Sequence, residues 1–260
     1  KIERRYREII DGLSLSLSLE EDFREIRERL LAGESCAYAA SRGEYLNAKL
    51  MAEYLGFPFL DAGELIAFRP DGECDFRETE RRVGERLRDM EKAVIPGFYG
   101  LDPEGRTVTF SRGGSDVTGS LIAAGLHADL YENWTDVSGF LVADPRIVRK
   151  PEVIDYITYR ELRELSYMGA SVLHEDAIFP VRKEGIPIQI KNTNRPEDHG
   201  TMIVANTLKK PRFIITGIAG KKNFCSINIE KAMMNSEIGF IRKVLSVIEE
   251  NGISVEHTPS

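Results

Sequence analysis

Apolar residues recur at helical spacing through the first ninety residues of the chain. In EEDFREIRERLLAG, residues 20–33, they fall on one helical face, and Gly33 stands where a helix C-cap is expected. The same pattern predicts a helix at the N-terminus and another over residues 76–93. A further helix is predicted to enter at residues 41–43 and to end before Gly56, so the first part of the chain is mainly helical.

Beyond about residue 105 the pattern changes to alternating strands and helices. β-Branched and aromatic residues predict strands in RTVTF, residues 106–110, and in DLYENWTDV, residues 129–137. A helix rich in small residues lies between them, and two short helices are predicted within residues 158–185. Alternation in IPIQIKNT, residues 186–193, predicts another strand. This order predicts an α/β fold with an open, largely parallel sheet sandwiched by helices.

The last fifty residues form a separate pattern. FIITGIAG and FCSINIEKAMM read as strands that run into turns, and EIGFIRKVLSVIEENG reads as an amphipathic helix. ISVEHTPS begins another strand, which gives a ββαβ order typical of a small α+β unit. The prediction therefore divides the chain into residues 1–210 and residues 211–260.

Composition narrows the class of protein. The 260 residues include 42 acidic and 35 basic side chains, for a formal net charge of −7, whereas a general nucleic-acid binder needs a basic face. No apolar run approaches the ~20 residues of a membrane span, and the charged amphipathic start is unlike a signal peptide. The scattered Cys36, Cys74 and Cys225 form neither a disulfide framework nor a metal motif, which indicates a cytoplasmic protein.

The sharpest local motif is TVTFSRGGSD, residues 107–116. A strand leads into adjacent glycines, Gly113 and Gly114, and then into a helix whose free N–H groups favour an anion. Arg112 offers a planar fork suited to a carboxylate or a phosphate, and Asp116 can orient a donor. A tight turn with Asp116 as helix N-cap explains the same residues, so the motif alone leaves both interpretations open.

Two weaker motifs accompany it. In WTDVSGFLVADPR, residues 134–146, Thr135 and Asp136 end a strand, where ligands of open α/β sheets gather, and Arg146 could reach a phosphate. Turn chemistry explains this segment as well. In SRGE, residues 41–44, Glu44 could bind an ammonium group, or it could complete a capping box with Ser41 as N-cap. The four histidines are isolated and predict no metal site.

Taken together, these segments resemble the aspartate kinase family. The run from Phe110 to Val148 is similar to the family's RGGSD and TDV-G-ADPR blocks in order and spacing, and SRGE resembles its substrate segment. Residues 167–203 resemble its G-A-VLH and GT block, and residues 211–260 resemble the start of an ACT regulatory region. The resemblance implies phosphoryl transfer from ATP to the side-chain carboxylate of L-aspartate, the first step of lysine, threonine and methionine biosynthesis, with Mg²⁺ bound through the nucleotide phosphates rather than by protein ligands.

The resemblance also implies roles for individual residues. The aspartate-binding and catalytic set comprises Ser41, Glu44, Arg112, Gly113, Gly114, Ser115 and Asp116. The ATP-binding set comprises Thr135, Asp136, Asp144, Pro145 and Arg146. The effector-binding set of the ACT region comprises Met234, Gly239, Phe240, Ile241, Ser254, Val255 and Glu256. An amino-acid effector, lysine or threonine, and a homodimer or higher homo-oligomer are expected in the intact protein.

The sequence departs from the family pattern at several places. The K-F-GG-S strand that meets the ATP phosphates is missing, Ser171 replaces a frequent lysine, and Leu141 replaces a common aromatic residue. ACT regions come in pairs, and here even the first is incomplete. We therefore expect an aspartate kinase truncated at both ends, without its full phosphate cradle. The alternatives are a non-catalytic regulatory fragment that binds an amino acid, and another enzyme with the amino acid kinase fold.

Overall fold

The computed structural model describes residues 1–167, 173, 175–206, 214–220, 222–232, 234, 237–255 and 257–258. The chain divides into two compact units, Lys1–Gly220 and Lys221–Ser260. The helices of the first unit are α1 (Ile2–Gly12), α2 (Glu20–Leu31), α3 (Cys36–Leu55), α4 (Ala62–Leu65), α5 (Phe76–Leu87), α6 (Gly114–Gly125), α7 (Tyr159–Tyr167) and α8 (Glu175–Lys183). Its strands are β1 (Tyr99–Leu101), β2 (Thr107–Thr109), β3 (Tyr131–Thr135), β4 (Tyr156–Thr158), β5 (Ile188–Asn192) and β6 (Thr201–Val204). Of the helices in the described ranges, none has both the length and the apolar character needed to cross a bilayer.

The first three helices pack around a small core of their own, formed by Ile10, Leu19, Leu46 and Leu50. An ion pair joins α2 to α3, because the Lys49 ammonium lies 2.7 Å from the buried Asp22 carboxylate. The Tyr45 hydroxyl donates a further hydrogen bond of 3.0 Å to the same carboxylate. A buried charge is tolerated only when it is paired in this way, so the contact fixes the two helices against each other.

Helix α3 begins earlier than its sequence predicts. Ser35 is the N-cap, and its hydroxyl accepts a 3.1 Å hydrogen bond from the backbone N–H of Tyr38. The predicted entrance at residues 41–43 is therefore wrong, and so is the capping box between Ser41 and Glu44. Ser41 is fully buried inside the helix, where its hydroxyl donates to the Tyr38 carbonyl oxygen over 2.8 Å. The helix ends at Gly56 in the left-handed region, at φ +66°, as the pattern predicted.

The main sheet has the strand order β3-β5-β6-β4. Strands β3 and β5 are parallel, as are β4 and β6, whereas β5 and β6 are antiparallel. Helix α6 packs on β3 and against α5 and α8, while α7 packs on β4 and β6. The side chains of Ile188, Ile190 and Ile203 are fully buried beneath this layer. The predicted α/β class with a largely parallel sheet is thereby confirmed.

Three short strands carry too few residues for a clear pattern and were not predicted. One of them, β1, pairs antiparallel with β2 in a separate two-stranded sheet, with Tyr99 opposite Thr109. The others, β4 and β6, complete one side of the main sheet. A glycine lets β1 approach the end of α4, because a Cβ at Gly100 would overlap the Ile66 carbonyl oxygen.

The segment 214–220 packs on the first unit rather than on the second. The Thr216 hydroxyl donates a 2.6 Å hydrogen bond to the Glu161 carboxylate at the start of α7. Ala143 and Ile218 also form a parallel bridge. The compact units thus divide after Gly220, whereas the sequence divides its two expected domains at 210/211. Their assignment as a kinase and an ACT domain stays a prediction.

Acidification is expected to loosen this attachment. Burial raises the pKa of the Glu161 carboxyl, but hydrogen bonds from Thr216 and Thr158 outweigh it and leave the pKa below its ordinary value. A lowered pKa stabilises the fold above the unfolded-state pKa, and this stabilisation is lost as pH falls through the lower folded value. Urea titrations across acidic pH should show a loss in the wild type that Glu161→Gln lacks. The exposed Glu164→Gln on the same helix is the matched control, and a constant wild-type minus Glu161→Gln difference across this pH range would contradict the expectation.

The second unit contains α9 (Phe240–Glu250), which starts at Gly239 with φ +76°. This helix has no buried residue, and Ile238, Ile241 and Val247 expose apolar surface. The strands predicted in this region are not formed within the described segments 222–232 and 253–255, nor is the one predicted at 213–220 in its described part. A strand is stabilised by a ladder of hydrogen bonds to a neighbour, and the described part of these segments forms a single isolated bridge, between Ala143 and Ile218. The ACT-like character of this unit stays a prediction.

Candidate functional site

The turn between β2 and α6 presents its backbone to solvent. Gly113 is exposed, adopts φ +55°, and forms the N-cap of α6 without a side-chain capping hydrogen bond. Gly114 is buried, and a Cβ at this position would lie 2.8 Å from the Phe98 ring. The first N–H groups of a helix have no intrahelical acceptors. The start of α6 is therefore open to an anion, and the alternative of Asp116 as N-cap is wrong.

Two exposed side chains flank this opening, Arg112 before it and Ser115 inside the first turn. Arg112 has no salt bridge to any residue that the structure describes, so its guanidinium is available to a ligand. The chain at Gly97 lies against the same turn, since a Cβ there would come within 2.8 Å of the Ser115 Cα. Of the predicted residues 112–116, Arg112, Gly113 and Ser115 are thus exposed together at the helix start.

Asp116 is held by strand β3. The side-chain amide nitrogen of the buried Asn133 donates a 2.8 Å hydrogen bond to the Asp116 carboxylate. The Tyr131 hydroxyl donates a 3.1 Å hydrogen bond to the backbone carbonyl oxygen of Asp116. These bonds place the start of α6 beside the strand that carries the predicted ATP-binding residues.

Thr135 and Asp136 lie at the carboxyl end of β3, as predicted. The Thr135 hydroxyl is 3.3 Å from the exposed Asp136 carboxylate, and the Thr135 carbonyl oxygen accepts a 2.8 Å hydrogen bond from the Thr193 N–H. Because β3 and β5 are parallel, Thr135 is in register with Asn192, and both strands end at the same sheet edge. This edge is where α/β sheets bind ligands.

A polar cluster that the sequence did not predict lies at this edge of the sheet. The Ser138 hydroxyl donates to the Asp198 carboxylate over 2.5 Å and accepts from the buried Asn192 amide over 2.9 Å. The indication in the sequence was a polar residue, Asn192, at the end of the strand predicted over residues 186–193. On the outer face of β3, the half-exposed Trp134 donates to the Glu132 carboxylate over 3.3 Å, and the Lys191 ammonium lies 5.4 Å from its ring.

The Asp144-Pro145-Arg146 segment forms a local ion pair. The highly exposed Arg146 guanidinium binds Asp144 through two nitrogens, with the shortest distance at 2.7 Å. This carboxylate raises the pKa of Arg146, and Pro145 between them is exposed. No described contact joins these three residues to Thr135 or Asp136. An ATP phosphate would have to compete with Asp144 for the Arg146 fork.

The SRGE segment lies on α3, which packs against β2. Glu44 is exposed, and its charge, after the larger effect of burial, contributes to a raised pKa of Tyr6. The Arg42 guanidinium packs over Tyr99 of β1, with its carbon 5.1 Å from the ring centre. Since β1 pairs with β2, which leads into the glycine turn, Arg42 connects α3 to the side of the site that carries Arg112. No described contact joins Glu44 directly to residues 112–116.

The predicted effector residues lie in the second unit. Gly239, Phe240 and Ile241 start α9, Met234 is half-buried, and Ser254 and Val255 are exposed after the helix. Glu256 is outside the described residues, as is Ser171. In an ion cluster, Lys231 and Lys243 both donate hydrogen bonds to Glu237, and the Lys231 ammonium lies 5.2 Å from the centre of the Phe240 ring. These hydrogen bonds lower the pKa of Glu237 to about 2. The cluster had no signal in the sequence.

Two shallow clefts of about 300 and 290 Å³ lie elsewhere, at the end of α3 around Gly56 and Phe57. Neither is lined by a predicted site residue. Within the described ranges, no group of three or more His, Cys, Asp or Glu side chains could hold a metal ion.

Comparisons with known proteins show the family to which the chain belongs. The model of the amino acid kinase family matches residues 3–192. Aspartokinase 3 of Bacillus subtilis is 42% identical over 275 residues, which cover all of this chain and 60% of that protein. The aspartokinase of Rickettsia bellii is 35% identical over 221 residues, covering 82% of this chain and 53% of that protein.

Solved structures give the same result. The aspartate kinase of Clostridium acetobutylicum is 56% identical, with a TM-score of 0.90, and the match covers 100% of this chain and 60% of that one. Aspartokinase III of Escherichia coli, solved with aspartate and ADP, is 26% identical with a TM-score of 0.71, covering 99% and 64%. The chain thus spans about half to two thirds of the length of these relatives. The matched family model, together with the α/β architecture, shows that the chain belongs to the amino acid kinase family, and the resemblance to aspartate kinases is confirmed.

Proposed function

We propose that the natural protein carrying this chain is an aspartate kinase, which transfers the γ-phosphoryl group of ATP to the side-chain carboxylate of L-aspartate. The observation that carries the proposal is the 2.8 Å hydrogen bond between Asn133 and Asp116. It joins the open start of α6 to β3, the strand that ends at Thr135, and this supports two neighbouring ligand sites. The aspartokinases reported above supply the substrate class, and one of them was solved with aspartate and ADP.

In this proposal the start of α6 receives the amino acid. Arg112 pairs with a carboxylate of aspartate through its planar fork, and Glu44, with Ser41 behind it, takes the ammonium group. Gly113, Gly114 and Ser115 let the backbone approach the point where the acceptor carboxylate meets the γ-phosphate. Asp116 orients the amino acid from its fixed position against β3.

The nucleotide lies along the carboxyl end of β3. Thr135 and Asp136 offer a hydroxyl and a carboxylate for the sugar and phosphate region, and Arg146, shaped by Asp144 and Pro145, reaches a phosphate. Mg²⁺ is carried by the phosphates and neutralises their charge when bound. A substrate carboxylate is already ionised at neutral pH, so no strong base is required. The protein residues act by positioning the two ligands and by stabilising the charge of the transferred group.

We also propose how the second unit contributes. Residues 211–260 form the first part of an ACT-like regulatory unit, in which Met234, residues 239–241 and residues 254–256 contact an amino-acid effector. Lysine or threonine is the candidate, and a solved complex of Escherichia coli aspartokinase III contains lysine. Residues 1–210 form the kinase part. We propose a homo-oligomer in the cytoplasm, where ATP and aspartate are available.

A coupled ADP-release assay on the natural protein tests the assignment. ADP should form only when ATP, Mg²⁺ and L-aspartate are all present, and L-glutamate should not replace aspartate. A protein that turns over glutamate or carbamate but not aspartate would contradict the proposed substrate.

A further inference from the structure

We propose that Asn133 is a positioning residue that fixes Asp116 and couples the amino-acid side of the site to the nucleotide side. The inference rests on the proposed function, because it concerns how the same site is held together. Neither Asn133 nor its partner Tyr131 is among the residues that the family motifs single out.

The first argument is the number of bonds converging on one residue. Asn133 is 6% exposed, and its amide nitrogen lies 2.8 Å from the Asp116 carboxylate and 3.1 Å from the Tyr131 hydroxyl oxygen. That hydroxyl in turn donates to the Asp116 backbone carbonyl oxygen over 3.1 Å. An amide nitrogen has two hydrogens, so it can serve both partners at once. Both the side chain and the backbone of Asp116 are therefore held from β3.

The second argument is that Tyr131 keeps its proton. Burial, which outweighs the hydrogen bond from Asn133, raises the pKa of Tyr131 to about 12. The hydroxyl therefore remains a donor throughout the working pH range of an enzyme. The Tyr131 ring also packs directly on α6, since a Cβ at Gly119 would lie 2.8 Å from its hydroxyl oxygen. Tyr131 thus contacts α6 at Gly119 as well as at Asp116.

The third argument is the position of Asn133 along β3. Side chains alternate along a strand, so Asn133 and Thr135 share one face while Glu132 and Trp134 take the other. Thr135 ends the strand at the proposed nucleotide site, and the whole strand is held in parallel register by β5. A displacement of the strand end by ATP would reach Asp116 through one rigid element and one hydrogen bond.

A purely packing role would favour a different residue. A buried amide loses its contacts with water, and this cost is recovered only through hydrogen bonds. An apolar side chain of similar size would fill the position without that cost. The choice of asparagine is explained by the carboxylate that it orients.

The test uses the natural protein and compares Asn133→Leu, Tyr131→Phe and a matched control on α6. Asn133→Leu keeps the branched shape of the side chain and removes the donor, and Tyr131→Phe removes only the hydroxyl. Ser120→Ala is the control, because the Ser120 hydroxyl is buried without a hydrogen-bond partner among the described residues. Unfolding midpoints are measured for all variants, together with kcat and KM for both substrates.

We expect Asn133→Leu to lower kcat/KM for aspartate roughly ten- to a hundredfold, as for the loss of a hydrogen bond to a charged group. Tyr131→Phe should lower kcat/KM for aspartate several-fold, whereas Ser120→Ala should leave it unchanged. KM for ATP should change little in all three variants. ATP should also cease to improve aspartate binding in Asn133→Leu, a coupling that a packing role would not affect.

The outcomes separate the two proposals. If the unmodified protein shows no aspartate-dependent ADP release, the proposed function fails, and the inference fails with it. If the unmodified protein is active while Asn133→Leu and Tyr131→Phe keep its aspartate kinetics, only the inference fails. If Asn133→Leu does not fold, Tyr131→Phe alone decides, since the ring that packs on Gly119 is retained.

Discussion

Arg112→Ala is expected to raise KM for aspartate in the natural protein roughly a hundredfold, with little change in KM for ATP. The guanidinium is exposed beside the open start of α6 and has no salt bridge to a described residue, so its charge is free for a substrate carboxylate. The bound substrate would cover this side chain, and removing one partner of a buried, hydrogen-bonded charge pair costs about 2–5 kcal/mol. Steady-state kinetics with each substrate varied in turn measures the effect.

Two matched variants make this result specific. Arg112→Lys keeps the positive charge but loses the planar fork, so it should recover only part of the loss. Asp136→Asn, at the end of β3, should have the opposite effect and raise KM for ATP more than KM for aspartate. An equal rise of KM for both substrates in Arg112→Ala would contradict the role proposed for this residue.

Gly200→Ala is expected to destabilise the first unit by roughly 3–5 kcal/mol, a large part of a typical domain's stability. Gly200 has φ +72°, and an added Cβ would overlap the carbonyl oxygen of Ile190. This is where β5 and β6 pair, with Ile190 opposite Thr201. The strands must separate or the backbone must rotate, and both responses break buried hydrogen bonds. Urea unfolding followed by circular dichroism measures the loss.

Gly185→Ala separates the clash from the backbone angle. Gly185 has a similar φ of +70°, but an added Cβ would have no heavy atom within 4 Å. Only the left-handed backbone penalises alanine there, at about 1–2 kcal/mol. Similar losses for the two variants would show that the β5–β6 contact is not the cause.

The large elements were predictable because their patterns are long. The α5 and α6 helices and the buried Ile188 and Ile190 of β5 follow from periodicity over many residues. The start of α3 was not predictable, because Ser35 and Ser41 are both plausible N-caps and the small residues between them have no apolar period. Only packing decides between them, and it buries Ser41 completely.

The candidate site was also predictable only in part. The glycine turn at residues 113–114 and the end of β3 were evident, since glycines and strand ends carry local signals. Asn133 was not, because the sequence pattern of this strand does not tell which of its faces is buried. In the structure Trp134 is 46% exposed and Asn133 is 6% exposed. Which face of β3 meets α6 depends on tertiary contacts such as Gly119 against Tyr131.

The exposed Trp134 gives the molecule a built-in optical probe. It is the single tryptophan of the sequence, and it lies between a carboxylate and an ammonium group, one residue before Thr135. Its emission therefore senses the local field at the strand end, without any label. Because Trp134 belongs to Lys1–Gly220, its emission reports on that unit.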